Sequence, residues 1–190
     1  IKPTDRCLSC LGKIFYQTTF KMRRAERKTI IINFTSPYPF FRGKKTIAQL
    51  IWERLGADVT NFVDPFMGSL AVLLSRPNWT PEVNLIETIN DKDALICNFW
   101  RSVKYDPEQV VHYADKPVNE NELTAVHIWL VNNMTDLADR IEGNPNYYNA
   151  KIAGWWVWGM CCWIGHGWCS GTGPWNTDGE QLVHLGNKGI

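Results

Sequence analysis

A chain of 190 residues, 45% hydrophobic and 21% charged, has the length and composition of one globular domain with a sizeable core, which excludes a fibrous or low-complexity polymer. Six cysteines, two of them adjacent (Cys161, Cys162), make no disulfide framework at this size, so a reducing cytoplasmic setting is expected. The formal charge of +1 conceals an asymmetry: residues 1–50 carry eleven Lys and Arg against Asp5 and Glu26, a balance of +9, which leaves −8 for the remainder. A basic arm on an acidic body suits a polyanionic partner, although the run Lys21–Lys28 also fits a plain solvated face. No apolar run is long enough for a bilayer and no signal-peptide pattern opens the sequence, so neither membrane span nor leader is expected.

In chain order, Cys7-Leu8-Ser9-Cys10 has the spacing of half a zinc site. No second Cys/His pair with ligand spacing follows nearby, so no metal is expected. Residues 1–35 are read as a basic N-terminal extension. The segment Ser36-Pro37-Tyr38-Pro39-Phe40-Phe41-Arg42-Gly43-Lys44-Lys45 is a proline-rich aromatic loop ahead of a helix. Aromatic rings before a glycine turn can cover an adenine or a methionine chain, and a lysine can meet a carboxylate. Thr46 is expected to cap the helix, with Ile47, Leu50, Ile51 and Leu55 on its apolar face and Gly56 at its end.

Thr60–Leu74 reads as a short apolar strand, a turn on Pro65 and Gly68, and an apolar helix. A strand that passes through a glycine turn into a helix leaves backbone N–H groups where a ligand can lie. Val83–Ile89 reads as a second strand ending in Asn90-Asp91. An acidic residue at the tip of that strand is where nucleotide-binding α/β folds hold ribose hydroxyls. The two strand ends together predict a nucleoside-type cofactor site. The same residues also fit an ordinary βα unit in which Gly68 only lets helix and strand pack closely.

Beyond Asp91, the period of Leu95, Ile96, Phe99, Trp100 and Val103 predicts a helix over Ala94–Lys104, and Asp106-Pro107-Glu108 starts another. Asn119 or Asn121 caps a longer helix through Leu123, Val126, Trp129 and Leu130, on which His127 is a packing residue. A helix is expected over Tyr147–Met160, with Trp155, Trp158 and Trp163 as an aromatic seam, broken into loop at Gly165-His166-Gly167-Trp168. The crowded spacing and apolar setting of Cys161, Cys162, His166 and Cys169 argue against zinc. From Ser170 onward a Gly/Thr/Asn/Asp tract without period predicts loop.

Phe62–Leu74 resembles the first motif of the DNA adenine-N6 methyltransferases of the DNA adenine methylase type, a hydrophobic-Asp/Glu-Pro-Phe-x-Gly-small-Gly run that holds S-adenosylmethionine. Leu70 stands where that motif has glycine or another small residue. Phe40–Lys44 resembles the preceding aromatic Gly-Gly-Lys motif, with Arg42 in place of its first glycine. Asn90–Trp100 and Gly154–Trp168 extend the likeness, and Leu185-Gly186-Asn187 adds a weaker match. The resemblance implies that Phe40, Gly43, Lys44, Asp64, Pro65, Phe66, Gly68, Ser69 and Asp91 bind S-adenosylmethionine. It also implies a double-stranded DNA substrate, a flipped adenine accepting the methyl group at N6, and a bacterial or phage-infected cell, in a restriction-modification or phage context.

The family's catalytic motif is Asp/Asn-Pro-Pro-Tyr/Phe. Asn144-Pro145-Asn146-Tyr147 is its nearest counterpart, but the third position is not proline and a helix rather than a strand adjoins it. No catalytic residue is therefore assigned, with Asn144 and Tyr147 as the weak candidates. The expected fold is α/β, a Rossmann-like S-adenosylmethionine-dependent methyltransferase fold that is incomplete and carries a helical insertion. Residues 36–110 form the cofactor-binding core and residues 111–190 a helical region leading into target recognition. The chain is expected to stop before its catalytic motif. Two other readings stand beside it: a degenerate binding protein for cofactor or DNA, and an unrelated nucleotide-binding α/β domain.

Overall fold

A computed structural model describes residues 34–40, 43–56, 58–77, 86–164, 167–169, 175–177 and 182–184. A 3-10 turn at Lys44–Thr46 leads into α1 (Ala48–Leu55), β1 (Asn61–Asp64), α2 (Ala71–Leu74) and β2 (Ile86–Ile89). Five helices follow, α3 (Ala94–Tyr105), α4 (Pro107–Ala114), α5 (Glu120–Asn133), α6 (Leu137–Gly143) and α7 (Ala150–Cys162), then β3 (Trp175–Thr177) and β4 (Leu182–His184). The architecture is mixed α/β. Strands β1 and β2 pair in parallel, Asn61 opposite Ile86 and Asp64 opposite Ile89, and β3 pairs antiparallel with β4.

Side-chain caps start the long helices. Asp93 accepts from the Leu95 N–H, Asn119 from Glu122 and Asn149 from Ile152, each engaging a first-turn donor that has no partner within its helix. Helix α4 instead starts on Pro107, whose fixed φ suits a first turn. Helix α7 is apolar nearly all round, and it packs against α3, α4 and α5. Its Trp156, Val157 and Trp158 meet Phe99, Val110 and Leu130 in the main core. A smaller cluster of Ala48, Trp52, Phe62 and Val72 joins α1 to β1 and α2.

Several expectations hold. The α3 face is buried at Leu95, Ile96, Phe99 and Val103 as its period predicted, with Trp100 half-buried; α4 starts at Pro107, α1 ends at Gly56, and Asn119 rather than Asn121 caps α5. Others need correction. Thr46 does not cap α1: the Ile47 N–H bonds to the Lys44 carbonyl, which places Thr46 inside the 3-10 turn. The predicted α1 face also looks outward, with Ile47, Leu50 and Leu55 each about half exposed. The buried positions are Ala48 and Trp52, because the Trp52 ring stacks on Phe62 at 5.1 Å and donates to the Val72 carbonyl at 2.6 Å.

Helix α2 is only four residues long, and α6 was not anticipated. Helix α7 starts at Ala150 rather than Tyr147, and its buried tryptophans are Trp156 and Trp158, with Trp155 and Trp163 half-buried. The tail expected as loop contains β3 and β4, which pair antiparallel. Residues 1–33, Phe41, Arg42, Val83–Leu85, Gly165, His166 and Leu185–Asn187 lie outside the described residues. Among the described residues, no helix is long and apolar enough to cross a membrane.

His127 on α5 is a packing residue, as expected. Its ring stacks on Trp163 at 5.1 Å and tilts against Trp168 at 5.3 Å. Burial holds its pKa below the ordinary 6.5. The unfolded chain therefore takes up a proton at a higher pH than the folded chain does. Stability is constant above 6.5 for this group and declines as pH falls from 6.5 through the folded value. We expect the midpoint of thermal unfolding to drop between about pH 7 and pH 5, and His127→Gln to flatten that component in a pH series of melts.

Candidate functional site

The parallel pair β1–β2 brings two carboxylates to one end of the sheet. Alternation along β1 turns Phe62 and Asp64 inward, and Asp64 is only 4% exposed at the last strand position. A buried carboxylate needs a partner, and Lys44 supplies it: Nζ lies 2.6 Å from Asp64 Oδ1 and 2.8 Å from the Phe66 carbonyl oxygen. The Phe66 N–H also donates to Asp64 Oδ1. Among the described residues, Asp64 Oδ2 has no hydrogen-bond partner. Lys44 stands at this spot because Gly43 permits a tight turn: its N–H donates to the Phe40 carbonyl at 2.8 Å, and a Cβ there would lie 2.8 Å from that same oxygen.

At the tip of β2, Asp91 faces the turn that follows β1. Its Oδ2 accepts from the Gly68 N–H at 2.9 Å and its Oδ1 from the Asp93 N–H at 3.1 Å. Backbone bonds from Asn90 to the Asp64 carbonyl and from Met67 to the Asn90 carbonyl join turn and tip. The Asn90 side chain reaches the carbonyl of Pro65. Gly68 and Leu70 both have positive φ, +48° and +56°. At Gly68 the positive φ favours glycine, and a Cβ there would also lie 3.2 Å from the Phe40 ring, a tight contact. Leu70 is buried in the main core, and this anchorage holds a leucine in a backbone region it rarely adopts.

Eight of the nine predicted cofactor residues thus surround one loop: Phe40, Gly43, Lys44, Asp64, Pro65, Phe66, Gly68 and Asp91. Phe66 is 77% exposed and Phe40 38%, so two rings stand open beside the polar groups. Ser69, the ninth, is buried on the same loop and its hydroxyl lies 3.4 Å from that of Ser36. Two residues without a predicted role also join it. Tyr38 and Trp100 both donate to the Gly68 carbonyl oxygen, at 3.0 Å and 3.1 Å. Their aromatic, core-like character gave no sequence signal of this contact.

Asn144 and Tyr147 are engaged differently: Arg101 on α3 donates to the carbonyls of Ile141, Asn144 and Tyr147. The Asn144 side chain accepts from the Asn146 N–H, and Asn98 exchanges two bonds with the Asn149 backbone. These contacts make the segment a clasp between α3 and α7.

The chemistry available at the loop can be counted. An ammonium has three donors, and two of those on Lys44 are engaged, which leaves one. A carboxylate accepts about four hydrogen bonds, and Asp91 has two from the backbone, which leaves about two. The loop therefore offers a donor for an anion, acceptors for hydroxyls and aromatic faces for an apolar or planar group.

A family model described as D12 class N6 adenine-specific DNA methyltransferase matches residues 43–146, more than half of the chain. No curated protein and no solved structure matches it. The Lys44–Asp64 pair can be tested directly. Lys44→Met leaves a buried carboxylate with one backbone donor and should lower stability by about 1–3 kcal/mol in urea unfolding. Asp64→Asn in the same background should recover part of that loss, because the uncompensated charge is gone.

Proposed function

This chain belongs to the D12 class N6 adenine-specific DNA methyltransferases, and from that premise we propose that the Gly68 loop binds S-adenosylmethionine for methylation of adenine N6 in double-stranded DNA. The observation that carries the reading is the convergence of Lys44, Asp64 and Asp91 on one glycine turn at the end of a parallel strand pair. The residues fit such a cofactor. The free N–H of Lys44 meets a carboxylate, and the remaining lone pairs of Asp91 accept ribose hydroxyls. Phe40 and Phe66 flank the turn and suit a purine face or a thioether chain. The reading includes a Rossmann-like placement of the cofactor, since strand tips of parallel sheets are where nucleotides bind.

When bound, S-adenosylmethionine supplies an activated methyl group on a sulfonium centre. The protein's task is then orientation: one ligand held against the loop, water kept from the rings, and the amine of an extruded adenine aligned. The eleven Lys and Arg of residues 1–50 supply charge for the DNA backbone. A cytoplasmic enzyme of a phage or restriction-modification system accords with this reading. A second reading, a chain that binds cofactor and DNA without turnover, is supported by the contacts of Asn144–Tyr147, whose carbonyls are taken up by Arg101 in a joint between helices.

Two outcomes test the proposal. Calorimetry should detect S-adenosylmethionine binding to the native chain, weakened about tenfold or more by Asp91→Ala, since charge-assisted hydrogen bonds of about 1.5–3 kcal/mol are lost. Unchanged affinity in a folded variant refutes the role of Asp91. In a tritiated-methyl assay on unmethylated DNA, transfer of the label by the native chain supports methylation, and cofactor binding without transfer supports the second reading. Transfer that vanishes in Asn144→Ala would make Asn144–Tyr147 a divergent catalytic motif.

A further inference from the structure

The carbonyl of Gly68 accepts from the Tyr38 hydroxyl at 3.0 Å and from the Trp100 indole at 3.1 Å. With its N–H on Asp91, this one residue is held by three separate segments: the stretch before the 3-10 turn, helix α3 and the tip of β2. Both lone pairs of a carbonyl oxygen are then filled. The arrangement coincides with the positive φ of Gly68 and Leu70, a conformation that persists only where its surroundings over-determine it.

Neither donor is free to move. Tyr38 is 3% exposed, with its ring edge-on to Phe99 at 5.4 Å and to Trp156 at 5.0 Å. Trp100 is half-buried and edge-on to Phe99 at 5.1 Å. Burial, with the nearby Asp93 and Asp91 carboxylates, pushes the Tyr38 phenol well above its ordinary range, so it remains an O–H donor at any working pH. The indole N–H can only donate. Two fixed donors on a rigid aromatic core therefore set the plane of the Gly68–Ser69 peptide.

We propose that Tyr38 and Trp100 are positioning residues for cofactor binding, a two-donor clamp that holds the Gly68 loop in its ligand-ready conformation. The clamp rests on the S-adenosylmethionine reading above, and it adds a route by which α3 and α7, through Phe99 and Trp156, support the loop. It differs from a general packing role because each contact can be removed at its polar atom while a ring remains.

The test combines amide hydrogen exchange without ligand and S-adenosylmethionine calorimetry on Tyr38→Phe, Trp100→Phe and the double variant. Trp52→Phe is the control, because it deletes a comparable ring-to-carbonyl bond, to Val72, away from the Gly68 carbonyl. In the double variant, exchange at the Gly68 and Leu70 amides should rise about tenfold or more and cofactor affinity fall by about the same factor. The control should move neither. Unchanged loop exchange overturns the clamp, as does faster exchange with unchanged affinity or an equal response in Trp52→Phe. If the double variant does not fold, Tyr38→Phe decides by the same criteria, at about threefold. A native chain that binds no S-adenosylmethionine refutes the cofactor reading instead, and the exchange measurement then decides by itself whether the two donors hold the loop.

Discussion

The burial of helix α7 (Ala150–Cys162) is the constraint on which the rest depends. It lies close to α4 because Gly154 has no side chain: a Cβ there would meet the Tyr113 side chain and the Val110 carbonyl. Near its other end Gly159 admits the Trp168 ring, whose indole N–H returns to the Trp156 carbonyl at 3.1 Å. A helix apolar on every side must be covered on every side, and α3, α4 and α5 are the elements that cover it. Trp156 then lies deep enough to meet both Phe99 and Tyr38. Packing far from the sheet thereby reaches the Gly68 loop.

At the loop, burial and polarity are arranged in opposite senses on its two sides. On the core side Met67 and Leu70 are inserted among the helices, and Tyr38 and Trp100 hold the Gly68 carbonyl. On the sheet side the two strand-end carboxylates engage the backbone and Lys44 without exhausting their capacity. The first set fixes the backbone of the turn, and the second leaves hydrogen-bonding capacity open. A positive-φ leucine is tolerated because burying its side chain offsets an unfavourable backbone.

The polar groups of Asn144–Asn149 serve a different end. Arg101 gathers three carbonyls there, and Asn98 pairs with the Asn149 backbone while Asn149 caps α7. A segment that resembles a catalytic tetrapeptide by letter is, in its contacts, the joint that orients α7 against α3. Asparagine does both jobs in proteins because its amide matches a backbone peptide in donor and acceptor.

The sequence by itself determined what depends on short-range chemistry. Glycine and proline placed the Pro65–Gly68 turn, period placed α3, the proline at 107 started α4, and the asparagines at 119 and 121 marked the start of α5, of which the structure chose Asn119. The residues expected to meet a cofactor could be singled out because their motifs are local: Phe40, Gly43 and Lys44, then Asp64, Pro65, Phe66, Gly68 and Ser69, then Asp91, are each read within a few positions. Only the tertiary structure decided which face a helix buries when its period is ambiguous. Helix α1 turns Trp52 inward and three aliphatic residues outward because Phe62 and Val72 are there to receive an indole. It also decided the Lys44–Asp64 pair, 20 positions apart, and the two donors that reach Gly68 from 30 and 32 positions away. Such contacts depend on where the packed helices bring the chain back, and no local pattern encodes that return.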